Sequence, residues 1–139
     1  MTAALYHAAL VERAKAAFGK GRLDQPTTSV TLDNPLCGDR VTLDIVMSDG
    51  RVERIGHQVR GCLLCEAAAA TIAETCQHQS PATVRALFPA VQAMMRDGAA
   101  APADWPALEI FTPVHASKSR RDCVLLPFTA LERALDQAA

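Results

Sequence analysis

The chain changes its hydrophobic rhythm several times, and each change predicts an element. Residues 3 to 18 set Leu5, Ala8, Ala9 and Ala16 among Glu12, Arg13 and Lys15, a helical period that stops at Gly19 and Gly21. Ser29 to Leu32, Val41 to Met47 and Val52 to Arg60 then alternate and favour β-branched residues, and Ser48-Asp49-Gly50 is a hairpin signal between the last two. Three antiparallel strands follow. From Cys62 the run CLLCEAAAATIAETCQ is made of strong helix formers behind Gly61. Ser80-Pro81 supplies an N-cap and a proline at the first helical position, and Pro89 is expected to interrupt or bend that helix before Ala90 to Arg96. The stretch GAAAPADWPAL reads as a surface loop. A closing helix is expected over FTALERALDQAA, after the polar, basic segment Ser117 to Asp122.

The fold class is therefore α+β, a three-stranded antiparallel sheet packed by helices, and 139 residues suit one domain over 1–139. The hydrophobic half of the chain is rich in alanine, with one Trp, one Tyr and four Phe, so helices packed on small residues are expected in place of an aromatic core. A net charge of -1 with both signs interspersed leaves no electrostatic footprint for nucleic acid or an anionic membrane. The first twenty residues lack the pattern of a signal peptide, and no run approaches a membrane span, so the cytoplasm is the expected compartment. Five cysteines there are poor candidates for structural disulfides, and attention moves to metal and thiol chemistry.

Cys37 lies in NPLCGDR among turn formers, with Asp39 two residues on. Cys62 stands at a strand-to-helix junction, where unpaired helix N–H groups and the dipole favour thiolate. Cys123 follows Lys118, Arg120 and Arg121, whose charge acts the same way. Three thiolates and a carboxylate can hold zinc or ferrous iron tetrahedrally, although their separations are wider than a zinc finger's paired knuckles and leave the constellation open.

The segments NPLCGDRVTLDIVM, RGCLLCEAAAAT and CVLLPFTALERAL together resemble the NifU N-terminal, IscU and SufU family, over most of the chain. Cys37, Asp39, Cys62 and Cys123 match that family's Cys-Gly-Asp turn, its Gly-Cys at a helix start and its late cysteine. The resemblance implies the α+β fold just described, a cysteine desulfurase (SufS-like) as sulfur donor, and downstream iron-sulfur acceptor proteins. It implies that Cys37, Asp39, Cys62 and Cys123 hold zinc, with Cys37 accepting persulfide sulfur, or that the same pocket assembles a transient [2Fe-2S] cluster. Scaffold and zinc-dependent sulfurtransferase both remain open. Asp122 stands where IscU proteins carry a histidine, which favours the SufU branch, and Arg120 matches a SufU basic position.

Cys65 departs from the family pattern and could face the pocket, pair with Cys62 or compete with Asp39 as ligand. The Glu12 to Gly19 stretch departs as well. Cys76 reads as structural, and His7, His57, His78 and His115 as surface or half-buried, His115 with a minor chance of ligation. Asp44 and Glu53 alternate outward and are expected on solvated faces, while Leu87, Phe88, Val91, Met94 and Met95 read as core or a partner-facing strip. Trp105 is either a loop anchor or a partner contact.

Overall fold

The computed structural model describes residues 3–36 and 38–138. Helix α1 (Ala3–Ala16) leads through a strap to strands β1 (Thr28–Asn34), β2 (Asp39–Ser48) and β3 (Arg51–Arg60). Helices α2 (Leu63–Cys76), α3 (Pro81–Arg85) and α4 (Leu87–Asp97), a 3₁₀ helix (Pro106–Ala116) and α5 (Arg121–Ala138) follow. The sheet is an antiparallel meander in the order β1-β2-β3. Asp49 and Gly50 both have positive φ, 54° and 72°, the mirror-image turn whose twist suits a two-residue hairpin.

Val41, Leu43 and Ile45 alternate onto one face of β2 and are wholly buried there, with α5 across β1 and β2 and α2 across β3. Five buried alanines of α2, Ala67 to Ala70 and Ala73, let α1, α5 and the sheet approach this helix closely. Leu87, Val91, Met94 and Met95 are buried core, as their helical spacing suggests.

Four expectations change. The break between α3 and α4 falls at Ala86, because Pro89 has no N–H to offer the Arg85 carbonyl and the ladder fails before the ring is reached. The segment expected as loop ends in the 3₁₀ helix, with Trp105 partly buried against the core just ahead of it. Leu108, Phe111 and Val114 are its buried residues, spaced at three, the period at which a 3₁₀ helix repeats a face.

Asp44, expected on a solvated face, is fully buried. It does point away from the helices, but the strap crosses that face: Arg22 Nε donates to it at 2.7 Å, Ser29 Oγ at 2.6 Å and the Leu23 N–H at 3.0 Å. Gly56, its partner on β3, makes room, since a methyl there would lie 2.6 Å from the Gly21 carbonyl oxygen. Burial pushes the Asp44 carboxyl up, and the Arg22, Ser29 and Leu23 bonds outweigh it, so the group sits below its ordinary range.

His57, expected at the surface or half-buried, is buried in the same strap: its Nε2 donates to the Phe18 carbonyl at 2.8 Å, and its backbone bonds Gly19 and Gly21. The strap thereby pairs the free edge of β3. Burial pushes the imidazole pKa down, the Phe18 bond opposes this, and Lys20 and Glu66 act in opposite directions.

Two outcomes follow. Asp44→Asn should cost about 1–3 kcal/mol of unfolding free energy by denaturant titration. That loss should be full at neutral pH and shrink in acid, as the native carboxylate of the parent is itself protonated. For His57 the folded-state pKa lies below the unfolded value, so its neutral form contributes stability that is complete above about pH 6.5 and declines as the pH falls toward the folded pKa. His57→Gln should flatten that part of the stability-pH curve, and an unchanged slope would show that His57 is not the titrating group.

Candidate metal centre

Three donor residues meet where strands give way to helices. Asp39 opens β2, Cys62 is the N-cap of α2, and Cys123 is the third residue of α5. One oxygen or sulfur from each lies within 4.8 Å of the others, and no other group of three such donors occurs among the described residues. Asp39 and Cys123 are buried and Cys62 is half-buried. Cys37 lies outside the described residues.

The Asp39 carboxylate is held by backbone. Its Oδ1 accepts the Cys62 N–H at 3.1 Å, satisfying a donor that the start of α2 leaves open, while its Oδ2 lies 3.8 Å from the Cys62 sulfur. Cys62 has extended backbone angles, φ -79° and ψ 169°, and its own side chain makes no cap bond, so its thiol is left to face the carboxylate. Gly61 is required for this approach, because a Cβ there would lie 2.7 Å from Asp39 Cγ and closer still to Oδ1.

Cys123 is reached through a tight turn, Arg120 N–H to the Ser117 carbonyl at 2.9 Å and Cys123 N–H to the Arg120 carbonyl at 3.1 Å. That turn brings the exposed Arg120 guanidinium over the sulfurs. A hydrogen bond with Cys62 first, then the charge of both Cys62 and Cys123, raises the Arg120 pKa. The arginine thus stands beside both sulfurs, each at the start of a helix.

Cys65, one turn into α2, is fully buried and does not join the mutually close donors. His115 is no part of them either: its Nδ1 donates to the Met95 carbonyl at 2.8 Å, and Arg121 Nε donates to its own carbonyl at 2.7 Å, which joins the 3₁₀ helix to α4 and α5. Cys76 is buried in the core, where desolvation pushes its thiol pKa up to about 12 despite the Thr75 hydroxyl, so it stays protonated.

The donor set suits a thiophilic divalent ion. A tetrahedron of thiolate and carboxylate bonds has edges of about 3.5–4 Å, so donors at 3.8 to 4.8 Å need only a small contraction. Asp39, Cys62 and Cys123 would supply three corners and leave one open.

The sequence model of the NifU-like N-terminal domain family matches residues 5–137. The IscU iron-sulfur cluster assembly scaffold protein of Streptococcus pyogenes serotype M1 is 26% identical over 137 residues, 97% of this chain and 85% of its own length. A crystallised NifU-like N-terminal protein from Brucella abortus superposes with a TM-score of 0.88 at 28% identity, covering 94% of this chain and 91% of its own. The SufU protein of Fervidobacterium islandicum AW-1 shares the fold, with a TM-score of 0.80 at 21% identity over 91% of this chain and 93% of its own. The chain belongs to the NifU-like N-terminal domain family.

Gly61→Ala should displace the Asp39 carboxylate while sparing the core. Cobalt titration, read by thiolate-to-metal absorbance, should show affinity lowered by about ten- to a hundredfold with the circular dichroism spectrum unchanged; unaltered affinity would show that Asp39 does not depend on this clearance.

Proposed function

We propose that this member of the NifU-like N-terminal domain family serves iron-sulfur cluster assembly, accepting persulfide sulfur at Cys37 and handling it at a centre made by Cys37, Asp39, Cys62 and Cys123. The observation that carries the reading is the convergence of Asp39, Cys62 and Cys123 beneath the Arg120 guanidinium. Cys37, two residues before Asp39, is the thiol offered to the open corner. Likeness to a curated IscU scaffold over nearly the whole chain supports the same role.

Zinc fits the donor set, and when bound it would keep its cysteine ligands deprotonated at neutral pH. Asp39 sets how firmly the centre holds: a carboxylate binds a thiophilic ion less tightly than a fourth thiolate would, which suits a site that exchanges its contents. Arg120 offsets the negative charge that thiolates and arriving sulfur bring together.

The sulfur step is a thiol exchange. The Cys37 thiolate attacks the outer sulfur of the donor's cysteine persulfide. A new S–S bond forms, the donor's S–S bond breaks, and the donor cysteine leaves as thiolate. Cys37 then carries the sulfane sulfur, with no net oxidation. The donor is a cysteine desulfurase, and the receivers are iron-sulfur acceptor proteins downstream, all in the cytoplasm where thiols stay reduced. No helix among the described residues is long and apolar enough to cross a membrane.

Metal and acid-labile sulfide in anaerobically purified protein test this, with Cys62→Ala as the control. About one zinc per chain, lost in the variant and without sulfide, would support the sulfur relay. Iron with matching sulfide would place a cluster in the same pocket, and neither in either protein would remove the centre from the proposal. Cys37→Ser should abolish sulfur acceptance with the fold intact.

A further inference from the structure

Among the described residues only two large hydrophobic side chains are exposed, Phe18 at 49% and Leu36 at 90%. Phe18 belongs to the strap, where its carbonyl is bonded to His57. Leu36 has no such setting. It stands on the turn between β1 and β2, immediately before Cys37 in the chain and three residues before Asp39.

The turn holds Leu36 outward by its own bonds. Asn34 Oδ1 accepts the Leu36 N–H at 3.1 Å, the Asn34 carbonyl accepts the Gly38 N–H at 2.8 Å, and Pro35 fixes the backbone between them. A large apolar side chain carried on a backbone already ordered by its turn can be covered without the cost of ordering a loop, which suits an interface anchor.

The rim around it is basic. Arg40 and Arg60 are cross-strand partners, one beside Asp39 and the other two residues before Cys62. Like charges directly opposite are unfavourable in a sheet. Arg40 is offset by Asp33, with Nε to Oδ1 at 2.6 Å, whereas Arg60 is exposed. Lys118 and Arg120 are exposed ahead of Cys123, and Asp122 is the acidic residue among them. In a chain of net charge -1, this end of the sheet carries a local positive excess.

We infer that Leu36 and the Arg60 side of the rim form the docking face for the sulfur donor, which offers an apolar socket within an acidic surround. The inference rests on Cys37 being the sulfur acceptor. Chain geometry favours this occupant: neighbouring Cα atoms are about 3.8 Å apart, so a protein that brings a persulfide into bonding distance of Cys37 comes within reach of the exposed Leu36. Charge steers the encounter and the leucine holds it.

Two donors separate docking from chemistry: a cysteine desulfurase charged with labelled sulfur, and glutathione persulfide, which needs no docking face. Leu36→Asp should raise the KM for the protein donor at least tenfold while leaving transfer from glutathione persulfide at the wild-type rate, and Leu36→Met should behave as wild type. Arg60→Glu should also raise the protein-donor KM and remove much of its dependence on salt. A Leu36→Asp variant that transfers normally from the desulfurase would overturn the inference, as would one that loses both donors, since Leu36 would then act on the thiol itself. Cys37→Ser should lose both donors; a wild-type chain charged by neither would overturn the functional reading instead.

Discussion

One hydrogen bond joins the sheet to the head of α2 at the place where the three donors converge. The Asp39 carboxylate, at the first residue of β2, accepts the amide of Cys62 at the head of α2. Helix starts leave backbone N–H groups without partners, and here the partner comes from another element and not from the capping residue's own side chain. The bond ties the head of α2 to the first residue of β2 and leaves the Cys62 thiol uncommitted to capping. It also fixes the carboxylate: with Oδ1 on the amide, Oδ2 is turned toward sulfur. The absence of a side chain at Gly61 is what lets the carboxylate come so close.

The cysteines show how position alone divides one functional group into different chemistries. Cys76 closes α2 inside the core, where nothing charged offsets desolvation, and its thiol is held protonated. Cys62 and Cys123 stand at the heads of two helices with Arg120 across both. Cys123 is buried as well, so what separates it from Cys76 is its setting: Arg120 and a helix start beside Cys62 and Cys123, the Thr75 hydroxyl beside Cys76.

What was legible in the sequence was what local chemistry determines. Alternation from Val41 to Ile45, the Asp49-Gly50 hairpin and the helix formers after Cys62 each depend on nearby residues, and each element forms where expected. The family resemblance pointed to Asp39, Cys62 and Cys123, and the fold brings those three together. Asp44 and His57 were misread for a shared reason. Both are placed by the strap at residues 17 to 23, whose path over the sheet has no periodic signature, so an outward Asp became buried and a polar strand residue became a clasp. His57 did leave one hint, lying in the inward set with Ile55 and Val59, opposite Leu43. The 3₁₀ helix is not legible because GAAAPADWPAL carries loop signals, and the residues buried at its end and beyond, Leu108, Phe111 and Val114, recur at three, a period that marks neither an α-helix nor a strand.

The two sides of the donor group are built differently. The Asp39–Cys62 side is backed by the sheet and by a helix of buried alanines. The α5 side is built otherwise. Pro127 lies within the helix four residues after Cys123 and has no N–H to offer the Cys123 carbonyl, so the ladder is interrupted at the turn that carries the thiol. That turn is tied by the Ser117–Arg120–Cys123 backbone bonds and the Arg121–His115 bond, and Cys123, Val124 and Leu125 seat it in the core. A carboxylate and a thiol set on the sheet and α2 thus face a thiol whose own helix lacks one backbone hydrogen bond in its first turn, so the two sides of the donor group rest on different kinds of support.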